Sequence, residues 1–320
     1  MANKLVAIGE ALIDLIPSRK GCSFGEVESF SPKTGGAPAN VCAVYSKLGG
    51  EAVMLTQLGD DPFGHKIKDE LSHAGIDTTY IAMTDAANTA LAFVSLDKDG
   101  DRTFSFYRNP SADMLYAPDQ VPQSVFDGAY ALHFCSVSLG DFPMKEAHRR
   151  AIEYASGSGA LISFDPNLRF MLWDDKKALK RAVLEFIPYA DIIKVSDEEL
   201  EFITGFTDIK EALPWFWDQE VRLVLYTCGK DGMRAYTANA EAASKASEVR
   251  AVDTTGAGDA SIGSFLWKLC RLGVSKDNIG IVDGALLGEA VRFAAEYCSM
   301  SVQHEGAIPS YPTLEEMKNR

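Results

Sequence analysis

Two rhythms of apolar residues run along this chain. Leu5 to Ile8 is a short continuous apolar run ending in Gly9-Glu10, which predicts a buried strand. Val41, Val44, Tyr45 and Leu48 then mark one face of a helix, with Pro38 suited to its first turn and Gly49 to its end. Ala52 to Leu58 predicts a second strand. Asp61-Pro62 predicts the cap of a helix carrying Ile67 and Leu71. The β–α–β–α order points to a mostly parallel sheet covered by helices. It resumes in compact apolar runs at Ala160–Phe164, Ile192–Val195 and Leu223–Tyr226, with helices expected over about 175–187 and 197–204. Ile262, Phe265, Leu266 and Leu269 give a last helical face within Ala260–Leu272, stopped by Gly273.

Two stretches break the pattern. Ala90–Leu96, the turn Asp97-Lys98-Asp99-Gly100 and Arg102–Tyr107 predict an antiparallel hairpin. Ala11–Ile16 and about 22–34 also predict strands. Together, as segments of about 11–34 and 89–112 inserted in the α/β core, they predict a small β-sheet beside the main one, either a lid over the carboxyl ends of the strands or, for the hairpin, a simple edge decoration. The sequence shows no repeat, low-complexity tract or flexible linker, so residues 1–320 are expected to form a single unit.

Composition narrows the function. Of 320 residues, 47 % are hydrophobic and 24 % charged, enough apolar material for a full core. The net charge of −14 argues against nucleic acid or an anionic membrane as partner, because both need basic patches. The six cysteines form no CxxC pair or Cys/His cluster, so no zinc site is expected. The N-terminus is not built like a signal peptide, and no apolar stretch is long enough to span a bilayer. A reducing cytoplasm is the expected location.

The chemistry concentrates in glycine-rich turns. Asp253-Thr254-Thr255-Gly256-Ala257-Gly258-Asp259 puts a flexible turn before a helix and ends on a carboxylate. Amides of Gly256, Ala257 and Gly258 at a helix N-terminus suit an anion. A carboxylate there repels phosphate, unless Asp259 takes a proton from a hydroxyl while the amides hold a migrating phosphoryl group. A capped structural turn is the plain alternative. A dinucleotide loop is another, although the pattern is one glycine short and lies late in the chain. No Walker A sequence occurs.

Other candidates follow predicted strands. Gly35-Gly36-Ala37-Pro38-Ala39-Asn40 is a second glycine-rich turn that opens a helix; by itself it reads as an ordinary strand-to-helix turn, while Asn40 offers a donor and an acceptor that suit a sugar hydroxyl. Asp14 interrupts an apolar run and faces either solvent or ligand hydroxyls. Asp165-Pro166-Asn167-Leu168-Arg169 and Thr227-Cys228-Gly229-Lys230-Asp231-Gly232 each directly follow a strand, where α/β proteins place ligand residues. Ser196-Asp197-Glu198-Glu199 either caps a helix or orders water around Mg²⁺. Arg108, after the hairpin, is either a surface residue or a substrate contact.

In this order, these residues resemble the ribokinase-like (PfkB) carbohydrate kinases over essentially the whole chain, from Gly9-Glu10 through Gly35–Asn40 to Asp253–Asp259 and Glu305–Ser310. The resemblance implies a three-layer α/β/α fold with a mostly parallel sheet and a β-lid often used for dimerisation. It implies transfer of the ATP γ-phosphoryl to a sugar CH₂OH. Asp259 matches the catalytic base, and Gly256, Ala257 and Gly258 the anion hole. Asp14, Gly35, Gly36 and Asn40, with Arg108, Asn167 and Arg169, are the expected sugar contacts. Lys194, Ser196, Thr227, Gly229 and Gly232 are the expected nucleotide positions. Glu199 matches the acid that orders Mg²⁺ through water, although Ser196 replaces the family's Asn. Asp253, Thr255, Gly306 and Ser310 match a monovalent-cation site, which implies K⁺ activation. Within the family the residues at 106–113, 165–169 and 196–199 are most similar to fructokinases. Ketodeoxygluconate kinases are similar in the same places. A catalytically silent sugar or nucleotide sensor is the reading from another class, and the intact Asp259 speaks against it.

Overall fold

A computed structural model describes residues 3–19, 21–22, 24–96, 102–173 and 175–319. Its strands are β1 (Lys4–Ile8), β2 (Leu12–Pro17), β3 (Phe30–Gly35), β4 (Glu51–Gly59), β5 (Ile81–Thr84), β6 (Leu91–Leu96), β7 (Arg102–Tyr107), β8 (Ala129–Cys135), β9 (Leu161–Asp165), β10 (Ile192–Ser196), β11 (Leu223–Thr227), β12 (Met233–Tyr236) and β13 (Glu241–Ser244). The helices are α1 (Ala37–Lys47), α2 (Pro62–His73), α3 (Pro143–Gly157), α4 (Lys176–Phe186), α5 (Asp197–Thr204), α6 (Ile209–Asp218), α7 (Ala257–Arg271), α8 (Gly284–Ser301) and α9 (Leu314–Lys318).

Nine strands make the main sheet, in the order β13-β12-β11-β10-β9-β8-β1-β4-β5. From β11 to β5 every neighbouring pair is parallel, and β12 and β13 add an antiparallel edge. The strands are apolar on both faces, and alternation sorts their side chains between two cores. Leu5 and Ala7 of β1 join one core with residues of α1, α2, α7 and α8. Val6 and Ile8 join the other with residues of α3, α4, α5 and α6. Leu223 and Leu225 part from Val224 and Tyr226 in the same way on β11. The result is the three-layer α/β/α arrangement. Each fully buried Leu or Ile contributes roughly 1.5–3 kcal/mol. Close helix contact brings the first and last thirds of the chain together: a Cβ on Gly263 of α7 would lie 2.9 Å from Val44 Cβ of α1.

A second sheet, in the order β3-β2-β6-β7, forms the lid. The strand expected from about residue 22 starts only at Phe30. Before it, Phe24–Glu26 is a 3-10 turn, closed by the Val27 amide donating to the Phe24 carbonyl at 3.3 Å. The turn expected at Asp97–Gly100 lies outside the described residues. Gly9-Glu10, Asp165, Ser196 and Thr227 all sit at the carboxyl ends of their strands, the edge where open parallel sheets carry ligand sites.

Candidate active site

The helix that follows the late glycine turn begins at Ala257, earlier than its apolar run. Its N-cap, Gly256, has φ 74°, the left-handed region that glycine enters without strain. A Cβ at this position would also lie 2.8 Å from Ala307 Cβ. The start at Ala257 puts Asp259 inside the first helical turn, 8 % exposed, beside the helix's N-terminal N–H groups, of which the expected donor at Ala257 is taken up by the Thr254 carbonyl at 3.2 Å. Its Oδ2 accepts a hydrogen bond from Asn40 Nδ2 at 2.8 Å. A carboxylate only accepts, so this bond fixes which end of the Asn40 amide faces it. Asn40 Oδ1 is then left buried without a partner. A buried acceptor left open in this way suits a ligand hydroxyl. Burial raises the Asp259 pKa, opposed by the Asn40 hydrogen bond and by the charges of Arg169 and Lys194.

Asp259 stands where the first two of three connected chambers meet. The first, about 110 Å³, is walled by Asp14, Gly36, Asn40, Phe106, Asn167 and Arg169 among others. The second, about 280 Å³, is lined by Asp165, Lys194 and the turn Gly256–Asp259. These two share Asn167, Arg169, Thr255, Gly256 and Asp259. The third, about 270 Å³, adds Ser196, Thr227, Gly229 and Gly232, and shares Lys194, Ala257 and Gly258 with the second. One cleft therefore runs from Asp14 to Thr227 with the α7 N-terminus at its middle.

Local chemistry explains how each wall is held. Asp14 is half-buried on β2, and the absent side chain of Gly35 on the neighbouring strand leaves room for its Oδ2. Asn167 has φ 43°, a left-handed conformation that Asn tolerates better than most residues. Its amide donates to Asp165 Oδ1 at 3.0 Å, an Asx turn that sets the direction of the loop. Behind the loop, Lys194 Nζ is 3.1 Å from Asp165 Oδ1 and 3.8 Å from Glu199 Oε2. These two carboxylates outweigh burial and hold the Lys194 pKa above its usual value, so the ammonium stays charged. Asp165 is pushed up to about 7 by burial, with Lys194 pulling the other way. Lys194 Nζ also lies 3.5 Å from where a Cβ on Gly258 would stand, directly beside the glycine turn.

Several expected residues take different positions. Arg108 does not line the cleft. It is 5 % exposed, its Nε and Nη2 bond Asp113 Oδ2, and its other donors reach the Val137 carbonyl and Ser138 Oγ. It is neither a surface residue nor aimed at the chambers, because Asp113 neutralises it in the interior. Glu199 likewise turns away: its oxygens accept from the Leu168 and Ser196 amides at 2.8 and 2.9 Å, and it faces Lys194. Its first duty is to cap α5 and pin the 165–169 loop. Asp253 accepts from the Thr255 amide and hydroxyl at 2.9 and 2.6 Å and from the Gly306 amide at 2.9 Å. Ser310 Oγ donates to the Ala307 carbonyl at 2.8 Å in the same loop. The expected cation residues are thus brought together, while the described residues hold no cluster of three or more His, Cys, Asp or Glu that could hold a metal ion. One member of the site carried no spacing signal: Glu10 lines the first chamber and is pushed up to about 7 by burial. Beneath the site, outside the chambers, His133 is buried on β8 beside Ser163 Oγ and pushed down to about 3 by burial and the nearby Lys194 charge, and is therefore neutral.

Comparison with known proteins agrees with this arrangement. Residues 2–314 match the pfkB family carbohydrate kinase model. A relative from Arabidopsis thaliana, "Probable fructokinase-4", is 41 % identical over 316 residues, covering 98 % of this chain and 95 % of its own. The crystal structure of fructokinase with bound ATP from Xylella fastidiosa superposes with a TM-score of 0.90 at 31 % identity, covering 100 % of this chain and 98 % of that one. The fructokinase from Vibrio cholerae O395 in its fructose-, ADP- and calcium-bound form gives 0.86 at 30 % identity, covering 99 % and 98 %. With the family model spanning nearly the whole chain and its signature turn built into the cleft, the chain belongs to the pfkB family of carbohydrate kinases.

Proposed function

We propose that this protein is an ATP-dependent fructokinase that transfers the γ-phosphoryl group of ATP to the primary hydroxyl of fructose, giving fructose 6-phosphate. The observation that carries this reading is the junction at Asp259: a buried carboxylate, held by Asn40, in the first turn of α7 where two chambers meet. The sugar binds in the first chamber against Asp14, Gly36, Asn40 and Asn167. The nucleotide occupies the second and third, over Lys194, Ser196, Thr227, Gly229 and Gly232. Asp259 accepts the hydroxyl proton as the bond to phosphorus forms. The N–H groups of Gly256 and Gly258 and the Lys194 ammonium stabilise the charge on the transferring group, the Ala257 N–H being donated to the Thr254 carbonyl.

The charge of the first chamber supports a neutral sugar. Glu10, Asp14 and Asp259 face it with Arg169 as the counter-charge among the described lining residues, since Arg108 is committed to Asp113. An acid sugar such as ketodeoxygluconate would bring a further negative charge there. Mg²⁺ carried on the nucleotide phosphates supplies charge neutralisation there; Asp165 is the carboxylate in the second chamber besides Asp259, and Glu199 stands behind Lys194. For K⁺ activation, the closed Asp253–Thr255–Gly306 arrangement with Ser310 is the supporting feature. A homodimer through the lid is supported by an aromatic cluster, Phe24, Phe30, Phe93 and Tyr107, in which Phe24 and Tyr107 are 52 % and 65 % exposed. Six free thiols support a cytoplasmic setting.

A coupled ADP-release assay tests the reading with fructose, ketodeoxygluconate, ribose, tagatose 6-phosphate and adenosine, each with Mg-ATP and K⁺. Fructose is expected to give the highest kcat/KM. Asp259→Asn is expected to bind both substrates and lose about 10²–10⁴ in kcat. Sugar binding without sugar-dependent ADP release would replace the enzyme with a sensor.

A further inference from the structure

We propose that Glu10 is a positioning residue: its carboxyl caps the N-terminus of α1 and thereby holds Asn40 against Asp259. The helix cannot cap itself. Its N-cap residue, Gly36, has φ 109° and makes no side-chain cap. A Cβ there would lie 2.5 Å from the Glu10 carbonyl oxygen and 3.0 Å from Ala11 Cα, so no Ser, Thr or Asp fits. The first-turn N–H groups still need acceptors. Glu10 provides one from the end of β1, where its Oε1 accepts from the Ala37 amide at 3.3 Å. Carboxyl groups are favoured at such a terminus by the helix dipole.

Asn40 lies one turn along the same helix, its amide closing on the Gly36 carbonyl at 2.9 Å and its side chain donating to Asp259 at 2.8 Å. On the other side, Glu10 Oε2 accepts from Ser138 Oγ at 3.0 Å, and Ser138 Oγ accepts from Arg108 Nη2 at 3.3 Å. Arg108 directly follows β7, the last lid strand, and is anchored by Asp113. A hydrogen-bonded path therefore leads from the lid through Ser138, Glu10 and the first turn of α1 to Asn40 and Asp259. This gives the Gly9-Glu10 pair a role, and gives Arg108 one without substrate contact.

The inference rests on Asp259 as proton acceptor, and one kinetic series separates the two claims. Glu10→Ala is expected to lower kcat by about 10-fold, towards the ~10²-fold that a 1 Å misplacement costs, with fructose KM changed less than about 3-fold. Glu10→Gln should recover most of that loss, because its amide oxygen can still accept from Ala37. Glu10→Asp is too short to reach Ala37 and should resemble Glu10→Ala, which keeps the test open if the Ala variant does not fold. In an Asn40→Ala background, Glu10→Ala should cost less than about 3-fold more, because both act through the same contact. Multiplicative losses in the double variant, a raised KM with unchanged kcat, or wild-type kcat in Glu10→Asp would each overturn the inference. Normal turnover by Asp259→Asn would instead remove the base assignment and leave the Glu10–Asn40 coupling to be read on its own.

Discussion

Replacing Lys194 by Met separates two roles that its position combines. Structurally, Lys194 and Asp165 form a buried pair, 7 % and 1 % exposed at the side chain, with Glu199 at 10 % on the ammonium's other side. Removing one member of such a pair costs about 3–5 kcal/mol, because the remaining charge is buried without compensation. Asp165 is already pushed up to about 7, so it can take a proton near neutrality, which puts the cost at about 3 kcal/mol at pH 7.5. At roughly 2–4 °C per kcal/mol, the melting temperature should fall by about 6–12 °C. Adding Asp165→Asn removes the orphaned charge, keeps an acceptor for the Asn167 amide, and should restore most of the stability. Activity should not return. Loss of a preorganised charge or donor beside the transferring group costs about 10²–10³ in kcat, and the double variant still lacks it. Melting curves and coupled ADP-release kinetics on Lys194→Met, Asp165→Asn and the double variant decide the matter. If kcat returns together with the melting temperature, Lys194 is a packing residue and the reasoning fails.

Gly36→Ala forces a Cβ to 2.5 Å from the Glu10 carbonyl at φ 109°, and should destabilise by about 1–3 kcal/mol while raising sugar KM about 10-fold or more; separate sugar and ATP titrations check that the ATP KM stays put. The Glu10 pKa, raised from 4.5 to about 7, makes a signed prediction for stability. A carboxyl whose folded pKa is raised contributes stability below its unfolded pKa and loses it as pH climbs through the folded value. Between about pH 5 and 8, Glu10→Gln should therefore gain stability relative to wild type, by up to about 3 kcal/mol, read from paired melting curves; a difference that stays flat with pH contradicts the raised pKa.

The apolar rhythm located the central strands and most helices because both faces of a parallel sheet must be covered, and continuous apolar runs such as Leu223–Tyr226 have no other use. The glycine turns were legible because a backbone in the left-handed region, or pressed against a neighbour, excludes side chains, as at Gly256 and Gly36. Charge pairing was not legible. Arg108 looks the same in sequence whether it faces solvent, substrate or Asp113, because its partner is set by how the 108–113 segment folds back. Glu199 sits at a spacing that serves a helix cap and a metal equally, and in the fold the cap takes one oxygen and the Leu168 amide the other. The start of β3 at Phe30 was missed because the 3-10 turn at Phe24–Glu26 keeps an apolar residue at its head.

The Asn40–Asp259 hydrogen bond joins residues 219 positions apart in sequence. Neither half of the chain contains a rudimentary version of the centre. The first glycine turn can form with β1 and β4, and the last with α8, but Asp259 is oriented by Asn40 only when α1 and α7 close on each other at Val44 and Gly263. Contacts of such long sequence separation are expensive in loop entropy and form late. During synthesis the nascent chain therefore carries most of the first chamber's wall well before the turn that closes it at Thr255–Asp259. Turnover in refolding experiments should trail the recovery of secondary structure, reporting completion of the tertiary fold.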